Sequence, residues 1–337
     1  MLPQPPIENQ VRYILIIFSV FLFSLTVISC AKKSDSSSSS TTNTTTSDNT
    51  TTTSSGLYIA VGASGTLLTS ADGTCWTAQT SGTTNNLRAF AIKPSTIRVV
   101  VGNSGTILTT TDGTTWTSRT SGTSNDIKNV HYNSAGFVAV GDSGTLLTSS
   151  DGITWTDKTS SCGMTENLWG ISSNSTVGVA VGDNGSIYTS ADAGDNCTKR
   201  TSGTTVEFNG LLYGNSTFVA VGYSGTILTS DNGTTWTSRT SGTSNSITEV
   251  IYDRNIFFGV GSNATYIYSQ NGTSWSSGAL NGVDSSADLR GVAYGLETWV
   301  IVGKDGVIYT IKDDETTYTL RTSGTTEHLR RVYSLVE

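Results

Sequence analysis

Apolar and polar residues along most of the chain follow a pattern that repeats about every forty positions. Its clearest copy, Val221 to Trp236, reads as the end of an apolar strand, a glycine-containing turn, a second strand and another turn. Successive copies lie 39 to 42 residues apart. The Val-Gly step of this copy occurs seven times, at Gly62, Gly102, Gly141, Gly182, Gly222, Gly261 and Gly303. A period near forty with four strand-like runs per copy is typical of a β-propeller.

Each repeat offers four strands, which we call A to D from the propeller axis outward. In the second repeat they are Leu87–Ile92, Arg98–Gly102, Thr106–Thr111 and Thr115–Thr120. The first repeat, from Leu57, has no strand A before it, whereas a lone strand A, Leu329–Leu335, follows the last repeat. We therefore predict an all-β, seven-bladed propeller of four-stranded blades, closed by pairing of the carboxyl-terminal strand into the first blade. Such closure leaves no open sheet edge.

The amino terminus differs from the repeats. Residues 14–28 form a mostly apolar run that is short for a membrane span and suitable for the core of a signal peptide. The run ends in Val27-Ile28-Ser29-Cys30, which resembles a bacterial lipobox. The resemblance implies that residues 1–29 are a lipoprotein signal peptide and that Cys30 carries lipid. An uncleaved anchor helix, or a secretory signal cut elsewhere, is the alternative.

Residues 31–55 are almost entirely Ser, Thr, Asn and Asp. Such a segment has too little apolar surface to offset the entropy of ordering it. We therefore divide the chain into a signal peptide (1–29), a lipidated cysteine with a flexible tether (30–55) and the propeller (56–337).

Composition excludes several functions. The chain has 26 acidic and 19 basic residues and a net charge of −7, so it lacks the cation excess of a general nucleic-acid binder. No cluster of His, Cys and Asp has the spacing of a metal site, and we predict neither a metal nor a cofactor. We interpret the two histidines, His131 and His328, as packing residues.

Three cysteines lie within the repeats. Cys162 is in the loop that enters the fourth blade, and Cys197 stands where the other repeats have tryptophan. Both loops are longer than their counterparts, and export permits disulfide bonds. The pattern favours a Cys162–Cys197 bridge, with two buried thiols as the alternative, and leaves Cys75 over.

The turn between strands C and D resembles the Asp-box (BNR repeat) of sialidase-type propellers, Ser-x-Asp-x-Gly-x-x-Trp. In the fifth repeat Thr229, Asp231 and Trp236 match it, and the fourth repeat matches through Asp192 but has Cys197 for Trp. The residues that we assign to these boxes are Asp72, Trp76, Asp112, Trp116, Asp151, Trp155, Asp192, Asp231, Trp236 and Trp275. The resemblance implies that the carboxylates stabilise turns and are not catalytic.

The whole repeat, Val-Ala-Val-Gly-x-x-Gly-x-Ile-x-x-Thr-x-Asp-Gly-x-x-Trp, is similar to the propellers of photosystem II assembly and stability factors. The similarity extends over all seven repeats. It implies the fold more strongly than the function, because one fold serves many functions.

Cations recur at the second residue of strand A, near the predicted mouth of the axial channel. Around the ring these positions hold Arg330, Arg88, Lys128, Trp169, Asn209, Thr248 and Arg290, with Arg331 adjacent. We take Arg88, Lys128, Trp169, Arg290, Arg330 and Arg331 as the candidate binding face, since clustered charge can attract an anionic partner. The arginine patch of the photosystem factors points the same way. Ordinary solvated surface charge is the alternative, and it is favoured for a second set, Arg119, Lys158, Arg200, Arg239 and Arg321.

These features predict a lipid-anchored, non-enzymatic scaffold that binds or assembles another macromolecule at the bacterial cell envelope, at the outer membrane or the cell surface. We expect a monomer with a protein or glycan partner and no nucleic acid.

The alternatives are a sialidase-like glycoside hydrolase and a glycan-binding adhesin. A glycosidase needs two facing carboxylates, and Glu249 is the one acid at the inner-strand positions considered. A deep channel with Glu249, Tyr333 and a second acid would favour the enzyme.

Overall fold

The computed structural model describes residues 58–94, 96–280, 283–313 and 319–335. The predicted signal peptide, Cys30 and the Ser/Thr-rich tether lie outside the described residues. Within the described ranges, no helix has the length and apolar character needed to cross a membrane.

The described chain forms seven four-stranded antiparallel sheets, the blades of the propeller, each ordered from its innermost strand outward. Blade 1 contains β28 (Leu329–Ser334), β1 (Tyr58–Gly62), β2 (Leu67–Ser70) and β3 (Thr77–Ala78). Blade 2 contains β4 (Leu87–Lys93), β5 (Ile97–Gly102), β6 (Ile107–Thr110) and β7 (Thr117–Arg119). Blade 3 contains β8 (Ile127–Asn133), β9 (Gly136–Gly141), β10 (Leu146–Ser149) and β11 (Thr156–Asp157). Blade 4 contains β12 (Leu168–Ser173), β13 (Gly178–Gly182), β14 (Ile187–Ser190) and β15 (Thr198–Arg200).

The remaining blades repeat the arrangement. Blade 5 contains β16 (Phe208–Gly214), β17 (Thr217–Gly222), β18 (Ile227–Ser230) and β19 (Thr237–Arg239). Blade 6 contains β20 (Ile247–Asp253), β21 (Ile256–Gly261), β22 (Thr265–Ser269) and β23 (Ser276–Ala279). Blade 7 contains β24 (Leu289–Gly295), β25 (Thr298–Gly303), β26 (Ile308–Lys312) and β27 (Thr319–Arg321). A short α-helix, Thr159–Cys162, precedes blade 4.

The carboxyl-terminal strand closes the ring. β28 pairs antiparallel with β1, so that Tyr58 lies opposite Ser334 and Val61 lies opposite Arg331. Each innermost strand contacts the innermost strand of the next blade, including β24 with β28 and β28 with β4. The predicted seven-bladed fold and its closure by the last strand are confirmed.

The core lies between neighbouring blades. Second strands are buried on both faces; Val99, Val100 and Val101 of β5, for example, contribute to two different apolar clusters. Phe137 of blade 3 lies between two further rings of its own blade, with centroid distances of 4.8 Å to Tyr132 and 6.2 Å to Trp155. Burial of such large rings is a major stabilising contribution of the fold.

The turns between third and fourth strands are held by short polar side chains. In blade 1, Asp72 Oδ1 accepts hydrogen bonds from the backbone N–H groups of Thr74 (2.7 Å) and Cys75 (3.1 Å). Ser70 Oγ accepts one from Gly73 N–H (2.9 Å), and Trp76 Nε1 donates to the Gly73 carbonyl (3.0 Å). Asp112 and Asp151 accept the corresponding bonds in blades 2 and 3. These carboxylates are engaged in holding their own turns.

The fifth blade requires a correction. Asn232, and not Asp231, accepts the hydrogen bonds from Thr234 N–H (2.8 Å) and Thr235 N–H (3.0 Å). Asp231 is exposed one position earlier. The sequence match was displaced by one residue because Asp, Asn and Gly follow one another there. Asp192 of blade 4 does accept such a bond, from Asn196 N–H (2.9 Å), in a turn that is one residue longer.

Cys162 and Cys197 form a disulfide bond with a Cα–Cα distance of 4.9 Å. The expectation that Cys75 is left over is wrong, because Cys75 is also disulfide-bonded. The error arose because the sequence pattern assigned the fourth blade's two cysteines to each other and offered no partner for Cys75 within the repeats.

Candidate binding surface at the channel mouth

Every innermost strand has a β-bulge at its second residue. In β4, Leu87 pairs with Gly102 and Ala89 pairs with Val101, so that Arg88 has no partner in the ladder. The residues in this position around the ring are Arg330, Arg88, Lys128, Trp169, Asn209, Thr248 and Arg290. A bulge re-aims the side chain that it carries. These seven residues therefore share one backbone feature, repeated at the end of each strand where the axial channel opens, whereas Arg331 follows the bulge and pairs with Val61.

The Val-Gly step explains how the bulge is built. A Cβ atom on Gly102 would lie 2.3 Å from the carbonyl oxygen of Asn86, the residue just before β4. On Gly222 it would lie 2.2 Å from the carbonyl oxygen of Glu207. Atoms do not approach so closely, and any side chain at this position would push the entering strand away. The repeated glycine is thus required by close backbone approach at the mouth.

The positive charge of Lys128 is balanced by two carboxylates. Its Nζ lies 2.9 Å from Asp126 Oδ2 and 2.9 Å from Asp142 Oδ2, and its side chain is 6% exposed. The ammonium also lies 4.9 Å from the ring centre of Trp169, whose Nε1 donates to Asp183 Oδ1 (2.6 Å). Lys128 and Trp169 are therefore parts of an internal network and do not offer a free charge to a partner.

The bulge arginines of blades 2 and 7 have fewer carboxylate contacts than Lys128. Arg88 Nε donates to Asn103 Oδ1 (2.7 Å), and its guanidinium lies 3.9 Å from Asp126. Arg290 forms a salt bridge with Asp288. Arg88 thus shares the carboxylate of Asp126 with Lys128, and Arg290 is paired with Asp288.

Arg330 has no salt bridge within the described part of the chain, and its buried Nε lacks a hydrogen-bond partner there. Burial lowers its pKa to about 10, and the positive charges of Arg88, Arg290 and Arg331 act in the same direction. The group remains protonated at neutral pH. Arg330 is thus a partly desolvated cation among other cations, a position that an incoming anion would stabilise.

The opposite side of the mouth is acidic. Asp183, Glu207 and the exposed Tyr223 line a cleft of about 400 Å³. Burial, and next the charge of Asp183, raise the pKa of Glu207. Sequence reasoning missed this cleft, although signals were present: Glu207 occupies the position just before strand A, and Asp183 directly follows the Val-Gly step of the fourth repeat. The mouth has a basic side and an acidic side.

The axial channel continues below the mouth as a cavity of about 400 Å³. There Arg331 Nε lies 3.2 Å from Glu249 Oε1, and Val292 N–H donates to the same carboxylate (2.8 Å). Burial raises the pKa of Glu249 to about 7, partly opposed by the charge of Arg331. Tyr333 Oη accepts a hydrogen bond from Phe90 N–H (3.1 Å), and burial raises the pKa of this phenol.

The channel does not present the catalytic pair of a glycoside hydrolase among its described residues. Glu249 is the one carboxylate in the described lining, and Arg331 and Val292 already occupy its oxygens. Two carboxylates about 5–10 Å apart flank the bond that most glycosidases cleave. Over the same described ranges, no group of three His, Cys, Asp or Glu side chains is arranged to hold a metal ion.

The outer set of cations has a local explanation. Arg119, Arg200, Arg239 and Arg321 each donate from Nε to a threonine hydroxyl on the adjacent third strand, at 2.7–2.8 Å. Lys158 forms a salt bridge with Asp195. The repeated Thr-x-Arg phrase therefore joins outer strands within a blade, whereas Lys158 joins blade 3 to the turn before β15 of blade 4.

Known structures share the fold at low sequence identity. YCF48 from Cyanidioschyzon merolae has a TM-score of 0.60 and 16% identity, over 76% of this chain and 92% of that chain. The structure titled YCF48 bound to D1 peptide has a TM-score of 0.56 and 18% identity, over 70% and 80% of the two chains. The computationally designed Ika8 protein has a TM-score of 0.50 and 15% identity, over 76% of this chain and 80% of that chain. No protein-family model and no curated protein matches the chain. At these identities the likeness shows the propeller fold alone.

Proposed function

We propose that this protein is a non-enzymatic binding scaffold that holds an acidic segment of another protein across the mouth of its propeller. The observation that carries the proposal is Arg330, a cation that lacks a carboxylate partner among the described residues. A guanidinium binds a carboxylate through two parallel hydrogen bonds, which gives both strength and orientation. The YCF48 structure titled as bound to D1 peptide supports a protein segment as the kind of partner.

The surroundings of Arg330 favour recognition of one orientation. Arg88 and Arg290 add positive potential on its side of the mouth, while Asp183 and Glu207 add negative potential on the other. A segment with a carboxylate at one end and a cation or hydrogen-bond donor at the other would match this distribution. Complementary charge of this kind steers association and selects partners.

The test is a pull-down from cell-envelope extracts with the full-length chain in detergent. Arg330→Gln removes the unpaired charge, and Arg239→Gln is the matched control, since it removes an arginine that bonds Thr229 within its own blade. We expect a partner that is recovered with wild type and with the Arg239 variant and is reduced at least tenfold with the Arg330 variant. Equal recovery with all three proteins would place the binding surface elsewhere. Failure to recover any partner would redirect the work to a glycan-hydrolysis and glycan-binding screen with Glu249→Gln.

We further propose that the scaffold is anchored at the bacterial envelope by lipid on the Cys30 sulfur, which must then form no disulfide bond, with the Ser/Thr-rich segment as the tether. The lipobox-like Val27-Ile28-Ser29-Cys30 supports this proposal. Metabolic labelling with a fatty acid should mark the wild-type protein and fail to mark Cys30→Ser. Unlabelled wild-type protein, or label that persists in the variant, would refute it.

A further inference from the structure

Among the described residues, blades 3, 5 and 6 each contain a triad of aromatic rings that fills the space between neighbouring blades. Tyr132, Phe137 and Trp155 form it in blade 3. The corresponding triads are Tyr213, Phe218 and Trp236 in blade 5, and Tyr252, Phe257 and Trp275 in blade 6. Neighbouring centroids within the triads are 4.6–6.4 Å apart. The triad is thus a repeated way of packing one blade against the blade before it.

Blade 4 has none of the three rings. Ser173 pairs with Gly178 in the register that joins Tyr132 to Phe137 in blade 3. Cys197 directly precedes β15, as Trp155 directly precedes β11. A serine, a glycine and a cysteine therefore stand where blades 3, 5 and 6 place tyrosine, phenylalanine and tryptophan.

The space left by these residues is a cavity of about 140 Å³ between blades 3 and 4. Leu146, Met164, Ile171 and Ala180 form much of its apolar wall, and Gly178 and Cys197 border it. An engineered apolar cavity of about 150 Å³ in another protein stays dry and binds benzene. This cavity is consequently of the size that holds one aromatic ring.

Polar groups occupy one side of the cavity. His131 Nε2 lies 2.9 Å from Ser173 Oγ, and Asn133 Nδ2 donates to the same hydroxyl (3.2 Å). Burial lowers the pKa of His131 to about 4, so the imidazole is neutral at physiological pH. The wall therefore combines apolar surface with a small cluster of neutral hydrogen-bonding groups, as ligand pockets usually do.

We propose that this cavity binds a free small aromatic molecule that carries one hydrogen-bonding group, of the phenol or indole class. The ring would take the place of the missing aromatic side chains, and its polar substituent would meet the Ser173–His131–Asn133 cluster. The volume of about 140 Å³ matches one aromatic ring, and the proposed occupant is a free molecule. The site does not depend on the proposed function at the mouth.

Methionine gives a direct probe of the site. The chain has two methionines, Met1 and Met164, and only Met164 lies in the described propeller and lines the cavity. Full-length protein labelled with ¹³C at the methionine methyl groups would be titrated with phenol, indole and benzene, and followed by NMR. We expect a saturable ring-current shift of the Met164 methyl signal at sub-millimolar phenol or indole, with benzene binding at least threefold more weakly. No shift up to 5 mM of any probe would overturn the site, and equal binding of benzene would overturn the role of the polar cluster.

Refilling the cavity is the complementary test. A Cβ atom on Gly178 meets only the Ser190 carbonyl oxygen, at 3.7 Å, so the backbone accepts a side chain at this position. Gly178→Phe should weaken phenol binding at least tenfold and raise the melting temperature, whereas Gly178→Ala should bind within about twofold of wild type. Unchanged phenol binding by a folded Gly178→Phe protein would refute the assignment. If that variant does not fold, the methionine titration of the wild type decides alone.

Discussion

Closure of the ring by β28 can be tested with one side chain. Leu329 begins β28, is 0% exposed and packs in a cluster with Tyr58, Val300 and Val302 between blades 7 and 1. Leu87 has the same position at the start of β4 and is also 0% exposed. Leu87 lies within the chain and Leu329 near its end, yet the closed ring makes their surroundings equivalent.

The expected magnitude follows from this equivalence. Replacing a fully buried leucine by alanine removes its transfer free energy and leaves a cavity, at a cost of about 2–5 kcal/mol. We therefore expect Leu329→Ala and Leu87→Ala each to lower the free energy of unfolding by about 2–5 kcal/mol. The two values should agree within about 1 kcal/mol. For a domain of this size each kcal/mol lowers the melting temperature by roughly 2–4 °C.

The assay is thermal unfolding of wild type and both variants by circular dichroism, with urea unfolding as a second measurement. Deletion of residues 329–337 should cost more than either substitution, because it also removes Val332 and leaves β1 as an open edge. A melting temperature for Leu329→Ala close to that of wild type, with Leu87→Ala strongly lowered, would refute the reasoning. A truncated chain that melts within a degree or two of the full chain would refute it independently.

Two further predictions concern buried ionisable groups and a turn glycine. The pKa of Glu249 is higher in the folded protein, about 7, than in the unfolded chain. Its contribution to the free energy of unfolding is therefore fully present below about pH 4.5 and is lost as the pH rises through 7. The pKa of His131 is lower when folded, about 4, so its contribution is lost as the pH falls from about 6.5 to 4. Urea unfolding between pH 4 and 7.5 tests both groups. The free energy of unfolding should rise with pH in Glu249→Gln, where the effect of His131 remains, and fall with pH in His131→Asn, where the effect of Glu249 remains, each by at most a few kcal/mol. Parallel pH profiles of the two variants would contradict this. Gly225→Ala should cost well over 2 kcal/mol in thermal unfolding, because φ is +69° and the Cβ atom would lie 2.0 Å from the Thr243 carbonyl oxygen. Gly203→Ala, at φ +77° with open space around it, should show only the backbone strain of about 1–2 kcal/mol, and equal costs would remove the role of the clash.

The sequence indicated which cations of the candidate surface share one position, but it indicated only part of their pairing with carboxylates. The cations at the second residue of strand A do share one position, the bulge. Asp126 and Asp288 stand two residues before Lys128 and Arg290, and these spacings were available as signals of pairing. Asp142 reaches Lys128 from the turn after β9, which no local spacing indicates.

The sequence by itself determined the repeat, the number of blades and the strand that closes the ring. These properties depend on alternation within strands and on turns that demand Gly, Asp or Asn, and such requirements act between residues close along the chain. The tertiary structure alone decided that Arg330 lacks a carboxylate partner in the described part, that Glu249 of blade 6 meets Arg331 of blade 1, and that blade 4 leaves a cavity beside blade 3. The physical reason is that burial, charge neutralisation and ring packing depend on which side chains of different blades lie together.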